Sequence, residues 1–169
     1  MIKRGSQLSV DAADGRANTA DDLWDTLTGA ELIQAMADGR YVEPSDIITF
    51  IGQAAKHAEP GRVELEWRPG EQLSNAAGSV HGGYIAMVLD NAACLAGSST
   101  CDRFIPMITL NLNVDYLRGV SAGETYTVVG TCVHPGRTRL VSNAVVTDAR
   151  GRPVAQASAA LVPNQAFAR

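Results

Sequence analysis

From Thr19 onward the apolar residues fall on a helical spacing. In TADDLWDTLTGAELIQAMADG, Leu23 and Leu27, then Leu32, Ile33 and Met36, follow acidic residues at a helix start. The pattern predicts a helical segment over 21–49, divided at Gly29, with the first run ended at Gly39. Residues 1–20 are polar, rich in Asp, Ala and Gly and without period, and read as a disordered leader. EPSDIITFIGQAAKHAEPG reads as a short helix or turn running into the first sheet residues, closed by Glu59-Pro60-Gly61. VELEWRP then alternates, with Val63, Leu65 and Trp67 on one face of a half-buried strand. Tyr84 to Leu95 is apolar on nearly every side, the pattern of a helix wrapped by the rest of its domain. Four strand candidates follow, 106–117, 124–134, 137–148 and 153–162, separated by Gly119 to Gly123, Pro135-Gly136 and Asp148 to Gly151. Such short connections favour an antiparallel meander. One buried helix grouped with a run of antiparallel strands is an α+β arrangement.

Length and composition narrow this picture. A chain of 169 residues has the size of one domain with an extension, here 50–163 preceded by the helical segment and followed by a short tail, 164–169. With 46% hydrophobic and 19% charged residues the composition is neither disordered nor membrane-spanning, and no apolar run approaches the roughly 18 residues a span needs. Lys3 and Arg4 are followed by no apolar core, so a secretory signal is not expected. Cys94, Cys101 and Cys132 form no CxxC pair and no disulfide framework, which fits a reducing, cytoplasmic setting. A net charge of −4 and 5% aromatics argue against a nucleic-acid binder. No Cys/His/Asp cluster has zinc spacing, so no metal is expected.

The chemistry concentrates in NAAGSVHGGYIAMVLDNAACLA, residues 75–96. A carboxylate, Asp90, interrupts the apolar helix, where an unpaired charge is costly and a structural position would carry Ala or Leu more cheaply; it is a candidate base or nucleophile. Its neighbour Asn91 leaves open a narrow exposed polar stripe. Gly82 and Gly83 enter the helix, where first-turn N–H groups lack intrahelical partners and can stabilise a carbonyl oxygen becoming anionic, as acyl transfer requires. The bland alternatives are a tight turn for the glycines, a cap for His81 and a turn role for Asn75. Gly82 and Asp90 are eight positions apart, about 12 Å of helical rise. Both can reach one carbonyl only if they come from two antiparallel copies of the helix, which makes the active unit a dimer with two composite sites.

Asn75, His81-Gly82-Gly83, Asp90, Thr109-Leu110, Asp115-Tyr116-Leu117-Arg118, His134-Pro135-Gly136-Arg137 and the turn from Asp148 to Gly151, taken in order, resemble the PaaI-type acyl-CoA thioesterases of the hotdog fold over roughly residues 50–162. The resemblance implies a long helix wrapped by a curved antiparallel sheet of five to six strands, paired into homodimers and often homotetramers. It implies acyl-CoA hydrolysis, with coenzyme A as part of the substrate and no separate cofactor. Asp90 would be the catalytic carboxylate, Gly82 the oxyanion donor, Asn75 the residue positioning water or thioester, Thr109 a hydroxyl beside the carboxylate, and His81 an organiser of the turn. Gly83, Arg118, His134, Gly136, Arg137 and Arg139 are the candidates for coenzyme A, with arginine forks suited to its phosphates. Gly119 stands where many relatives carry Pro, and the segment before residue 50 exceeds the minimal fold. That segment reads as capping the core or covering a pocket mouth, with Tyr41, Ile47 and Phe50 as candidates for the acyl end. Other classes are a non-catalytic acyl-CoA binding or sensing module, and a hotdog dehydratase or hydratase, which would need an acid paired with His81.

Overall fold

The computed structural model describes residues 20–42 and 45–167; the leader, except Ala20, lies outside them. Three short helices open the chain: α1 (Ala20–Thr26), α2 (Gly29–Ala37) and α3 (Asp46–Ile51). The predicted division at Gly29 is a capping box. Thr28 Oγ1 accepts the Glu31 N–H, and the Glu31 carboxylate accepts the Thr28 N–H at 2.9 Å, so the chain stops and restarts within three residues. Strands β1 (Gln53–Glu59) and β2 (Arg62–Trp67) form a hairpin around Gly61, and Val63, Leu65 and Trp67 are fully buried. The long helix α4 (Gly82–Ser98) precedes β3 (Met107–Tyr116), β4 (Tyr126–Pro135), β5 (Leu140–Thr147) and β6 (Pro153–Pro163).

All six strands form one antiparallel sheet in the order β1-β2-β4-β5-β6-β3, curved around α4. The four-strand meander predicted from the short connections holds only for β4-β5-β6. β2 already occupies the free side of β4, so β3 pairs with β6 at the far edge. The intervening loop therefore crosses the end of the sheet: Leu117 and Arg118 N–H bond the Val154 carbonyl, the Val120 carbonyl accepts Val80 N–H, and Gly123 N–H bonds the Pro69 carbonyl. Val120, 1% exposed, plugs this end of the core, and burying it is what a surface hairpin would forgo.

Small residues bring α4 against the sheet. A Cβ built on Gly130 of β4 would lie 2.2 Å from the Ala92 carbonyl oxygen, so the helix backbone sits directly on the strand. Neither backbone can yield cheaply. Gly130→Ala is expected to destabilise the fold by about 1–3 kcal/mol, as overpacking does, read as a lower denaturation midpoint at unchanged m-value.

The two sheet edges are treated differently. β1 is covered by α2, whose Gln34 Oε1 accepts the Ala58 N–H at 3.0 Å. Among the described residues β3 has no strand on its outer side, and Ile108 (47% exposed) and Leu110 (59%) stand out from it, while the half-exposed Tyr116 at its end lies against Gly82. A ten-residue open edge with apolar side chains is a template for pairing with another strand. No described helix is long and apolar enough to cross a membrane.

Candidate active site

The sheet does not cover α4 completely. Gly83, Met87, Asp90, Asn91 and Cys94 form the stripe left partly open, at spacings that share one helical face. Asp90, expected as a costly carboxylate on a helix wrapped on most sides, is half-buried and paired: Thr109 Oγ1 of β3 donates to Asp90 Oδ1 at 2.7 Å. A β-bulge sets this contact. The β3–β6 register slips between Thr109 and Asn111, so Met107 and Thr109 face the helix before the bulge and Leu112 and Val114 after it.

A second donor stands behind the threonine. Cys94, one turn beyond Asp90, places Sγ 3.4 Å from Thr109 Oγ1. Since the threonine proton is committed to Asp90, the thiol is the donor, giving the chain Cys94 S–H to Thr109 O–H to Asp90. Burial pushes the Cys94 thiol up to about 11, against the lowering effect of the Thr109 hydrogen bond, which keeps it protonated and able to donate at neutral pH. Asn91, on the same partly open stripe, is paired within the fold: its Nδ2 donates to Gln53 Oε1 at 2.7 Å, and the buried Gln53 in turn donates to the Val88 carbonyl.

At the start of α4, His81 is the N-cap and its Nδ1 accepts the Gly83 N–H at 3.0 Å. The Gly82 N–H has no partner among the described residues, while Tyr116 Oη donates to the Gly82 carbonyl at 2.9 Å and its ring flanks the glycine. One N–H of the Gly-Gly pair is consequently spent on the cap and the other is available. Asn75 lies in the preceding turn, where its Oδ1 accepts Ala77 and Ser79 N–H groups. Gly82 and Asp90 lie on one continuous helix, so the separation of about 12 Å stands.

The arginine candidates are split between the ends of the sheet. Arg118 lies near the Gly82 end, its guanidinium bonded to the Pro153 carbonyl. His134, near the end of β4, and Gly136, Arg137 and Arg139 of the β4–β5 turn lie at the opposite end, where Gly136 and Arg137 line a groove of about 440 Å³ shared with Arg103, a residue the sequence reading missed. Within one chain these groups do not converge with each other or with Asp90. A larger cavity of about 820 Å³ opens on Asp90, Asn91 and Cys94. Tyr41 and Ile47 line it, whereas Phe50, the third residue expected at the acyl end, packs against Tyr84. Among the described residues no group of His, Cys, Asp or Glu is arranged to hold a metal, and the three cysteines are free thiols.

The thioesterase superfamily model matches residues 77–155, which span Gly82, Asp90 and Thr109. The human protein acyl-coenzyme A thioesterase 13 is 30% identical over 128 residues, 75% of this chain and 87% of its own length. A Streptococcus mutans protein solved bound to acetyl CoA is 31% identical, with a TM-score of 0.58 over 63% of this chain and 83% of that one. The E. coli PaaI protein, 20% identical with a TM-score of 0.70 over 81% of this chain and 96% of that one, shares the fold. The helix wrapped by a six-stranded antiparallel sheet is the hotdog fold, and the chain belongs to the thioesterase superfamily, as a thioester hydrolase.

Proposed function

We propose that the protein hydrolyses acyl-CoA thioesters in composite sites, each made by Gly82 of one subunit and Asp90 of the partner subunit. The observation that carries this reading is the pairing of Asp90 with Thr109 at the mouth of an apolar cavity, on the same helix as an unpartnered N–H at Gly82. The open β3 edge supports a twofold pairing of β3 strands, which sets the two α4 helices antiparallel and brings the Gly82 end of one toward the middle of the other. The coenzyme A bound by solved relatives supports the leaving group.

In this mechanism the Gly82 N–H, reinforced by the positive end of α4, binds the thioester carbonyl oxygen as it becomes anionic. Thr109 holds the Asp90 carboxylate by one oxygen and leaves the other for the reaction. Acting as a base, Asp90 takes a proton from water, the water oxygen bonds the carbonyl carbon, and the C–S bond breaks as that proton passes to the departing thiolate. Acting as a nucleophile, Asp90 bonds the carbon first, expelling the thiolate and forming a mixed anhydride that water then cleaves. Both routes give free acid and coenzyme A. Arg118 and Arg137, together with Arg103, are the proposed phosphate contacts: an antiparallel twofold sets opposite sheet ends of the two subunits side by side, so groups far apart within one chain approach across the pair.

The test is a panel of coenzyme A thioesters, aromatic and aliphatic from short to long, assayed for thiol release. Saturable turnover of at least one is expected. Absence of turnover across the panel, with coenzyme A still bound, would replace hydrolysis by acyl-CoA binding alone.

A further inference from the structure

The cavity beside Asp90 is not built by the hotdog core alone. It runs along α4 from Met87 and Asp90 through Cys94 and Leu95 to Ser98, eight residues and about 12 Å beyond the carboxylate. Aromatic rings from three separate segments line it beyond the carboxylate: Trp24 of α1, Phe104 of the α4–β3 connection, and Phe167 of the C-terminal turn. Trp24 meets Phe104 edge-on at 4.8 Å between ring centroids and Phe167 at 6.0 Å, so the rings brace one another into one wall. Met36 of α2 and Ile47 and Ile48 of α3 supply further lining. Trp24, Met36, Ile47, Ile48 and Phe167 all lie outside the stretch matched by the superfamily model.

We propose that the helical segment before β1, together with the C-terminal turn, is the specificity element of this enzyme: it forms the chamber for the distal part of the acyl group and selects large apolar acyl chains, of medium length or longer, over short ones. The inference rests on the reading of Asp90 as part of the thioesterase site. A volume of about 820 Å³ is near the upper end for pockets that enclose a drug-sized ligand. An acetyl group would occupy only the mouth and leave the aromatic wall without contacts. A medium chain reaches along both turns of α4, and binding energy gained at its far end is available to position the carbonyl against the catalytic groups. Met36, Met87 and Met107 are unbranched and polarisable, and adapt to a flexible chain better than branched residues would.

The experiment compares kcat/KM for acetyl-, octanoyl- and palmitoyl-CoA in the wild type, Met36→Trp and Phe167→Ala, with thermal unfolding recorded for each. The wild type is expected to favour octanoyl- over acetyl-CoA by at least about 100-fold: octanoyl carries six more methylenes, and full burial of only two of them at about tenfold each already gives that ratio. Met36→Trp, which adds bulk to the chamber, is expected to cut that ratio at least tenfold. Phe167→Ala, which opens the far wall, is expected to raise the palmitoyl-to-octanoyl ratio. Ratios are insensitive to a general loss of folded enzyme, and Phe167→Ala, a truncation of a side chain that is only partly buried, carries the test if Met36→Trp does not fold. A wild-type ratio near one, or variants that lower every thioester in proportion, would overturn the proposal while leaving the thioesterase reading intact. No turnover of any thioester by the wild type would overturn both.

Discussion

Asp90→Asn is expected to reduce kcat by about 10²–10⁴-fold, the usual contribution of a positioned base, with KM moved little. The substitution is nearly isosteric. Thr109 Oγ1, 2.7 Å from Asp90 Oδ1, can donate to an amide oxygen as it does to a carboxylate oxygen, and the cavity keeps its shape. What is lost is the negative charge and the basic or nucleophilic oxygen, which act on the substrate only as the carbonyl carbon is attacked. Because Asp90 is half-buried and not deep in the core, the neutral variant leaves no unpaired charge behind and should unfold within a few degrees of the wild type. Steady-state kinetics on the best thioester of the panel, beside a thermal melt, separates the two effects. Turnover within about threefold of wild type would remove Asp90 from the mechanism.

The fold was legible where local chemistry decides it. Gly29 opens α2, Gly39 follows its end and Glu59-Pro60-Gly61 turns the first hairpin, and the alternation at Val63, Leu65 and Trp67 matches their burial. The place of β3 was not legible, because strand order depends on which edge remains free after β2 pairs with β4, a long-range fact that a nine-residue loop does not encode. Part of the site was hidden for a related reason. Strict alternation through ITLNLNVDY would put Ile108, Leu110, Leu112 and Val114 on one face and Thr109 on the other; the bulge after Thr109 breaks the phase and turns Thr109 toward Asp90. Only the family resemblance pointed to Thr109. Cys94 was recognisable at most as a residue four positions from Asp90 on the same helix, since its partner comes from β3. The aromatic wall gathers residues 24, 104 and 167, and no periodicity relates them.

Two inactive variants mixed together should recover activity. The backbone donor at Gly82 can be removed cleanly with Gly82→Pro. Gly82 is the first residue of α4, where proline is favoured and its missing N–H costs the helix nothing, and His81 before it already has φ −64° and ψ 134°, the extended conformation a following proline requires. A Cβ there stands 3.4 Å from the Tyr116 ring, at the limit of ordinary contact. Loss of the oxyanion donor is expected to lower kcat by roughly 10²–10³-fold. If each site uses Gly82 of one subunit and Asp90 of the other, then in a heterodimer of Gly82→Pro with Asp90→Asn one site carries both lesions and the other carries none. Random reassortment makes about half of the dimers mixed, each with one of two sites intact, so about a quarter of wild-type activity should return. The proteins must be unfolded and refolded together, or co-expressed, because an apolar β3 interface would not exchange readily on mixing. A site contained within one chain gives the opposite result: every subunit stays damaged, and no mixture rises above the more active parent. That outcome would require a rearranged α4 to bring Gly82 and Asp90 within reach of one carbonyl, which a continuous helix from Gly82 to Ser98 does not permit.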